Sequence, residues 1–216
     1  MDKTILTEDI IARAQKIKLL LMDCDGVLTD GRLYFTESGE AMKVFHVRDG
    51  QGLALWHKAG FRSGIISGRN AEKILEKRAT ELGIDYIKAC SLDKAKDFED
   101  VLQDAGMTFE EVAYIGDDIG DICLLKKVGL PIAVADAVSE VFPYIIYKTE
   151  KRGGTGAVRE VTDLLLKAKS LVWNFSKIFL KTGNRTGIGN ILNGSLKLKS
   201  FDWEKVWKKV FRAGNL

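Results

Sequence analysis

The sequence predicts an α/β fold: a doubly wound, mostly parallel, Rossmann-like sheet that carries a small β-hairpin insertion. Short apolar runs of strand length alternate with amphipathic stretches of helical period along most of the chain. Such alternation implies right-handed crossovers and a parallel sheet covered on both faces. With 216 residues, 46% of them hydrophobic and 29% charged, the chain is long and apolar enough to form a substantial core.

The elements follow one another in a regular order. Residues 5–16 have the spacing of a short amphipathic helix, and the nearly uninterrupted apolar run at residues 17–22 is typical of a buried parallel strand. Residues 32–47 predict a hairpin with its turn at Ser38-Gly39. The remaining predicted helices are 51–59, 71–82, 94–105, 122–128 and 157–169, and the remaining predicted strands are 61–66, 86–89, 112–115 and 132–134.

The cysteines and the apolar runs indicate where the protein works. Cys24, Cys90 and Cys123 are odd in number and far apart, so they form neither a disulfide framework nor a paired metal motif. The polar N-terminus does not resemble a signal peptide, and no apolar run approaches the roughly 18 residues of a membrane span. We therefore expect a cytoplasmic protein.

A boundary near residue 170 separates the predicted α/β domain, 1–170, from a basic tail, 171–216. The tail carries nine Lys or Arg and two Asp or Glu, so its net charge of +7 leaves −4 for the domain within a total of +3. The basic pI therefore does not indicate nucleic-acid binding. The tail predicts an amphipathic helix that would suit a membrane surface or a partner protein, or would fold back on an assembly of this chain. Its apolar positions are Trp203, Val206, Trp207, Val210 and Phe211.

Polar and acidic residues gather at the predicted strand ends and at one helix start. These residues are Asp23, Asp25, Ser67, Lys94, Asp117, Asp118 and Asp121. Because ligands bind beyond the carboxyl ends of parallel strands, we expect these side chains to share one site. Two acid clusters, a hydroxyl and an ammonium suit phosphoryl transfer from a monoester, in which a divalent cation neutralises the acids.

Magnesium prefers oxygen ligands and usually takes one or two carboxylates in addition to the phosphate. The predicted ligands are the carboxylates of Asp23 and Asp117 and the backbone carbonyl of Asp25. We expect Asp118 and Asp121 to support this Mg²⁺ site from the outer shell.

The two aspartates after the first strand have separate predicted roles. Asp23 attacks phosphorus to form an aspartyl-phosphate, and Asp25 protonates the departing alcohol and then deprotonates the attacking water. The predicted phosphate-binding residues are Gly26, Ser67, Gly68 and Lys94. A lone Asp-x-Asp could equally cap a helix, but the ordered set of four segments favours the enzyme.

Four segments resemble the motifs of the haloacid dehalogenase superfamily: 23–30 (DCDGVLTD), 66–69 (ISGR), Lys94 and 116–121 (GDDIGD). The resemblance runs from about residue 17 to residue 169. It implies a Rossmann-like magnesium-dependent phosphatase core. The segment between Asp30 and Arg48 is too short for the cap domain of many members, and a hairpin takes its place.

Within the superfamily, further segments are similar to the family of 3-deoxy-D-manno-octulosonate (KDO) 8-phosphate phosphatases of lipopolysaccharide inner-core synthesis. They are residues 47–50 (VRDG), Arg69, Arg78 and residues 153–160 (GGTGAVRE). The resemblance implies substrate contacts from Arg48, Asp49, Arg69 and Arg78. An arginine fork suits the carboxylate of a sugar acid.

The resemblance also implies a homotetramer, in which hairpins pack together and a neighbouring subunit covers the site. Arg48, Arg78 and the 153–156 loop are candidates for that lining. Two alternatives stay open: a phosphatase for another nulosonate, such as a nonulosonate 9-phosphate, and a catalytically idle oligomerisation module. The presence together of Asp23, Asp25, Lys94 and Asp117 favours an enzyme.

Overall fold

A six-stranded parallel sheet forms the centre of the computed structural model, which describes residues 6–37, 39–69 and 72–170. The predictions made for the tail lie outside the described residues. The strands are β1 (Leu19–Met22), β2 (Tyr34–Thr36), β3 (Gly39–Met42), β4 (Arg62–Ile66), β5 (Tyr86–Lys88), β6 (Val112–Gly116), β7 (Leu130–Ala133) and β8 (Tyr147–Lys148). The helices are α1 (Glu8–Lys16), α2 (Val47–Lys58), α3 (Glu72–Leu82), α4 (Lys94–Ala105), α5 (Ile122–Leu125) and α6 (Ala157–Ala168).

The sheet order is β5-β4-β1-β6-β7-β8, and β2 pairs with β3 in a separate antiparallel hairpin. Strand β1 pairs in parallel with β4 on one side and with β6 on the other. Strands β4 and β5 therefore extend the sheet on one side of β1, and strands β6, β7 and β8 then extend it on the other. This order confirms the predicted doubly wound fold and places a switch point at the carboxyl end of β1, where such sheets bind ligands.

The apolar run of β1 is explained by two cores. Leu20 and Met22 pack into a core with residues of α1, α2, α3 and α6, whereas Leu19 and Leu21 pack into a second core with residues of α4 and α5. Successive side chains of a strand point to opposite faces, so a strand buried on both faces needs apolar residues at every position.

Several element boundaries differ from the sequence prediction for local reasons. Helix α1 begins at Glu8 because the Thr7 side chain accepts a hydrogen bond from Ile10 N at 3.3 Å. Helix α2 begins at Val47, inside the segment predicted as hairpin, because the His46 ring accepts one from Arg48 N at 3.3 Å. The two-residue strand β8 was not predicted, because two residues carry no periodic signal.

The glycine loop that precedes α6 packs against the loop that follows β1. A Cβ on Gly153 would lie 1.7 Å from the carbonyl oxygen of Gly26. Gly154 adopts φ +62° and donates a hydrogen bond from its N–H to the Val27 carbonyl at 3.0 Å. Only glycine allows backbones to approach this closely at such a dihedral angle. The loop therefore braces the segment that carries Asp23 and Asp25.

None of the helices within the described ranges is both long and apolar enough to cross a bilayer.

Replacing Trp56 with Ala should destabilise the protein by about 3–5 kcal/mol, since a large buried aromatic side chain is lost. Trp56 is fully buried, stacks on Phe61 at a centroid distance of 4.3 Å and donates from its indole N–H to the Arg62 carbonyl at 2.8 Å. Urea unfolding measures the loss. Leu92→Ala is the control, because Leu92 is fully exposed and its truncation should stay within about 0.5 kcal/mol. Equal stability of the two variants would contradict this account of the core.

Candidate active site

A cleft of about 330 Å³ opens at the carboxyl edge of the sheet. It gathers most of the residues that the sequence predicts for catalysis, metal binding and phosphate binding, together with Arg69. Its lining consists of Asp23, Asp25, Ser67, Gly68, Arg69, Lys94, Asp117, Asp118, Gly120 and Asp121. Five acids and two basic residues therefore share one small space.

Three carboxylates converge at the ends of β1 and β6. Asp23, Asp117 and Asp121 each place an oxygen within 4.8 Å of the others. The backbone N–H of Asp23 donates to the Ile115 carbonyl at 3.0 Å, which extends the pairing of β1 with β6 and fixes the height of Asp23. The sheet itself thus sets the spacing of these acids.

Asp121 is buried, and both of its carboxylate oxygens are occupied. Its Oδ1 accepts hydrogen bonds from the Tyr114 hydroxyl at 2.6 Å and from Lys94 Nζ at 2.8 Å. Its Oδ2 accepts from the backbone N–H groups of Asp117 and Asp118 at 2.9 and 3.3 Å. These bonds orient the loop that follows β6, a geometry consistent with the supporting role expected for Asp121.

Asp117, unlike Asp121, has a carboxylate oxygen without a donor among the described residues. Its buried Oδ1 has no hydrogen-bond partner among the described residues. Burial, followed by repulsion from Asp23 and Asp121, raises the pKa of Asp117 to about 8. Attraction to Lys94 opposes this rise only in part, so the site has room for further positive charge. An oxygen-ligated divalent cation would supply that charge, so the residues present fit such an ion.

Asp23 is repelled by the neighbouring acid Asp121 and attracted by Lys94. Burial raises its pKa to about 6, with Lys94 opposing the rise and Asp121 adding to it. Asp23 Oδ2 lies 3.1 Å from Lys94 Nζ, and Asp23 Oδ1 accepts from the Cys24 N–H at 2.7 Å. Lys94 is therefore the positive partner that holds Asp23 within a cluster of acids.

Lys94 is placed by the start of α4. Asp93 caps that helix by accepting hydrogen bonds from the N–H groups of Ala95 and Lys96 at 3.0 and 3.1 Å. Burial disfavours the ammonium of Lys94, but attraction to Asp23 and Asp121 outweighs it and raises the pKa of Lys94. The lysine is therefore a fixed positive charge between the acids.

Gly26 is required by two separate constraints. Its φ is +86°, and a Cβ at this position would lie 2.0 Å from Asp117 Oδ2. Any other residue would displace the Asp117 carboxylate from the cluster. The glycine predicted to let the backbone approach phosphate therefore also makes room for a predicted metal ligand.

The sequence does not indicate two residues that lie beside the cleft, Lys43 and Glu40. Lys43, which follows β3, places Nζ 2.5 Å from Asp25 Oδ1 and 2.8 Å from Glu40 Oε1. Burial disfavours its ammonium, but hydrogen bonds to Asp25 and Glu40 outweigh that effect and raise the pKa of Lys43. No pattern in the sequence indicates this contact, because it depends on how the hairpin folds over the loop after β1.

Of the four residues predicted to contact substrate, Arg69 lines the cleft and the other three do not. Arg69 lines the cleft, with Nη2 3.2 Å from Glu40 Oε2 and Nε 3.8 Å from Asp25 Oδ2. Arg48 is exposed and does not line the cleft of this chain. Arg78 also lies outside the lining, with its guanidinium over the Phe45 ring at 5.4 Å and an ion pair to Glu81 at 2.8 Å.

Asp49 also lies away from the cleft and is 1% exposed. Its Oδ1 accepts a hydrogen bond from the backbone N–H of Arg159 at 2.7 Å, at the start of α6. A buried carboxylate at a helix N-terminus is stabilised by the free N–H groups there. In this chain Asp49 therefore joins α2 to α6, and through α6 it supports the glycine loop.

Known proteins resemble this chain over most of its length. Residues 67–158 match the family of haloacid dehalogenase-like hydrolases. The 3-deoxy-D-manno-octulosonate 8-phosphate phosphatase KdsC of Escherichia coli K12 is 44% identical over 164 residues, which cover 76% of this chain and 87% of the relative.

Two solved structures resemble the fold closely. The Moraxella catarrhalis 3-deoxy-D-manno-octulosonate 8-phosphate phosphatase, in complex with a magnesium ion, a phosphate ion and KDO, has a TM-score of 0.77 and 36% identity, covering 81% of this chain and 99% of that chain. The cobalt-bound phosphatase of Haemophilus influenzae has a TM-score of 0.74 and 38% identity, covering 78% and 99%. Divalent metals thus occur in solved relatives of this chain.

The identity extends over most of both chains and is accompanied by the same fold. This chain therefore belongs to the 3-deoxy-D-manno-octulosonate 8-phosphate phosphatase family of the haloacid dehalogenase superfamily, and it is a phosphoric monoester hydrolase.

Proposed function

We propose that the protein hydrolyses 3-deoxy-D-manno-octulosonate 8-phosphate to the free sugar acid and phosphate, in the synthesis of the lipopolysaccharide inner core. The observation that carries this proposal is the convergence of Asp23, Asp117, Asp121 and Lys94 in one cleft. Support for the substrate comes from the relatives, one of which holds magnesium, phosphate and KDO together.

The reaction divides into two displacements. In the first, an oxygen of Asp23 bonds to phosphorus while the bond from phosphorus to the sugar oxygen breaks, and Asp25 gives its proton to that oxygen. In the second, water attacks phosphorus, Asp25 takes the proton of the water, and the Asp23 carboxylate is released. Asp23 sits at the end of a buried strand, so its direction of attack is fixed by the sheet.

The same cleft would hold Mg²⁺. Asp23 and Asp117 would supply its carboxylate ligands and Asp25 a backbone carbonyl, while Asp118 and Asp121 would support the loop that carries Asp117. The ion would neutralise the acids and the phosphate oxygens as charge develops. The buried Oδ1 of Asp117, which has no hydrogen-bond partner among the described residues, supports the assignment.

The transferring phosphoryl group has donors on the opposite side. Lys94 would supply an ammonium, and Ser67 would supply a hydroxyl whose oxygen accepts a long hydrogen bond, 3.4 Å, from the Arg69 N–H. That hydroxyl keeps its own proton to donate to a phosphate oxygen. Gly26 and Gly68 leave their backbones open to approach by the phosphate.

Arg69 is the substrate contact that this chain provides by itself. Its side chain is 40% exposed at the cleft, so its guanidinium can pair with the carboxylate of a sugar acid. Arg48 and Arg78 would reach a substrate from a neighbouring subunit. Asp49 would then act by holding the α2 and α6 ends in place.

We propose that the cover comes from a homotetramer. The hairpin and the residues beside it expose large apolar side chains, with Phe35 63%, Met42 50% and Val44 50% exposed. Several large apolar side chains exposed on and beside one short two-stranded sheet are typical of an interaction surface. Further copies of this chain are the partners that suit it.

Replacing Asp23 with Asn should lower phosphate release from the octulosonate 8-phosphate by about 10³-fold or more, because the nucleophile is lost. Phosphate release with Mg²⁺ present is the measurement. Asp104→Asn, at an exposed position outside the cleft, serves as the matched control and should keep its activity. Retained activity in Asp23→Asn would refute the covalent route, and a wild-type preference for a nonulosonate 9-phosphate would change the assigned substrate.

Magnesium should bind more tightly as the pH rises from 6 to 8. Protons compete with the cation for acids whose pKa values are raised to about 8 at Asp117 and about 6 at Asp23. Each proton displaced makes affinity rise by up to about tenfold per pH unit below the relevant pKa. The rise in Tm on adding Mg²⁺ measures binding, and Asp117→Asn should lose most of that rise. Affinity that does not depend on pH across this range would count against these ligands.

Sedimentation of the full chain should give the mass of four chains of 24.0 kDa each. Phe35→Asp should shift the distribution toward smaller species, because a charge at an apolar interface is costly to bury. Leu92→Asp is the control, since Leu92 is exposed but lies outside the hairpin. A wild-type mass equal to one chain would overturn the proposed assembly.

A further inference from the structure

Lys43 makes a contact that the two-step reaction does not by itself require. Its side chain is 0% exposed, and its Nζ lies between Asp25 Oδ1 at 2.5 Å and Glu40 Oε1 at 2.8 Å. A buried ammonium is retained only where such partners compensate its lost hydration. One of the two partners is the proposed proton-transfer residue.

The two carboxylate oxygens of Asp25 have different surroundings. Oδ1 is bonded to Lys43, whereas the buried Oδ2 has no hydrogen-bond partner among the described residues. Arg69 Nε is 3.8 Å from Oδ2, too far for a hydrogen bond. One oxygen of the carboxylate is therefore held, and the other is left available.

We propose that Lys43 is a positioning residue for Asp25. Its ammonium fixes the carboxylate by Oδ1, so that Oδ2 is the oxygen that gives a proton to the sugar oxygen and later takes one from water. The inference rests on the proposed function, which assigns both proton transfers to Asp25. It makes the β2–β3 hairpin a part of the catalytic site.

Glu40 strengthens the same arrangement. It pairs with Lys43 through Oε1 and with Arg69 through Oε2, at 2.8 and 3.2 Å. The hairpin thus holds the proton-transfer residue and the arginine of the cleft through one connected set of charges. A displacement of a reacting group by about 1 Å can cost about 10²-fold in rate, so loss of this hold should appear in the chemical step.

The test compares two substrates that differ in their need for a proton. The leaving group of the sugar phosphate is an alkoxide that must be protonated, whereas p-nitrophenolate departs without a proton. With enzyme in excess and Mg²⁺ present, single turnovers report the first displacement alone. Lys43→Met should slow sugar release by about 10- to 100-fold, and p-nitrophenol release by less than about threefold. Lys43→Arg, which keeps the charge, should recover most of the loss.

Two controls separate positioning from folding. Lys127→Met removes an exposed lysine that pairs with Glu99 at 2.8 Å, and it should leave both rates unchanged. Lys43→Gln, which keeps a hydrogen-bond donor, replaces the Met variant if that variant does not fold, and it should show a smaller loss confined to the sugar phosphate. Tm and the fraction of active sites are measured for each variant.

An equal loss on both substrates, a loss only in the fraction of active sites, or no loss at all would overturn the role of Lys43. Failure of the proposed function looks different. In that case the wild-type enzyme does not hydrolyse the sugar phosphate, or Asp25→Asn hydrolyses it at the wild-type rate.

Discussion

Repulsion between carboxylates at the end of β1 and β6 is the constraint on which the rest of the structure depends. Parallel neighbours lie about 4.8 Å apart, so Asp23 and Asp117 are brought together by the sheet itself. Burial and repulsion raise the pKa of Asp117 to about 8. An acid whose pKa is raised on folding stabilises the fold when protonated and loses that contribution as pH rises from its unfolded value of 3.8 toward 8. The cluster is thus least stable at the pH where protons would compete least with the proposed cation.

The backbone around the cluster is arranged to tolerate this repulsion. Asp121 has both oxygens occupied by donors, which ties the loop after β6 to Tyr114 and Lys94. On the other side, the glycine loop before α6 lies against Gly26, and α6 is itself held by Asp49. Neither Asp121 nor the glycine loop contacts phosphorus in the proposed reaction. Both prevent the acids from moving apart, which is the easiest way for a repulsive cluster to relax.

The sequence predicted those parts of the site whose positions follow from local rules. Asp23, Lys94 and Asp117 follow a strand or open a helix, so knowing the order of elements was enough to bring them together. The position of Asp49 does not follow from such local rules. A carboxylate beside an arginine near the hairpin has the same appearance whether it faces a ligand or a helix N-terminus, and only packing of α2 against α6 distinguishes the two. The contact between Lys43 and Asp25 spans 18 residues and depends on how the hairpin folds over the loop after β1, which the pattern that predicts the hairpin does not specify.

The hairpin and the residue that follows β3 present different chemistry on their two sides. Met42 and Val44 are exposed, whereas Lys43 between them is buried against Asp25, because successive residues of an extended segment face opposite sides. Three consecutive residues therefore present an apolar surface outward and a charge inward. A second copy of the chain packed on Met42 and Val44 would also restrict the backbone that carries Lys43. In the proposed tetramer, assembly and the orientation of Asp25 would then be linked through the same short segment.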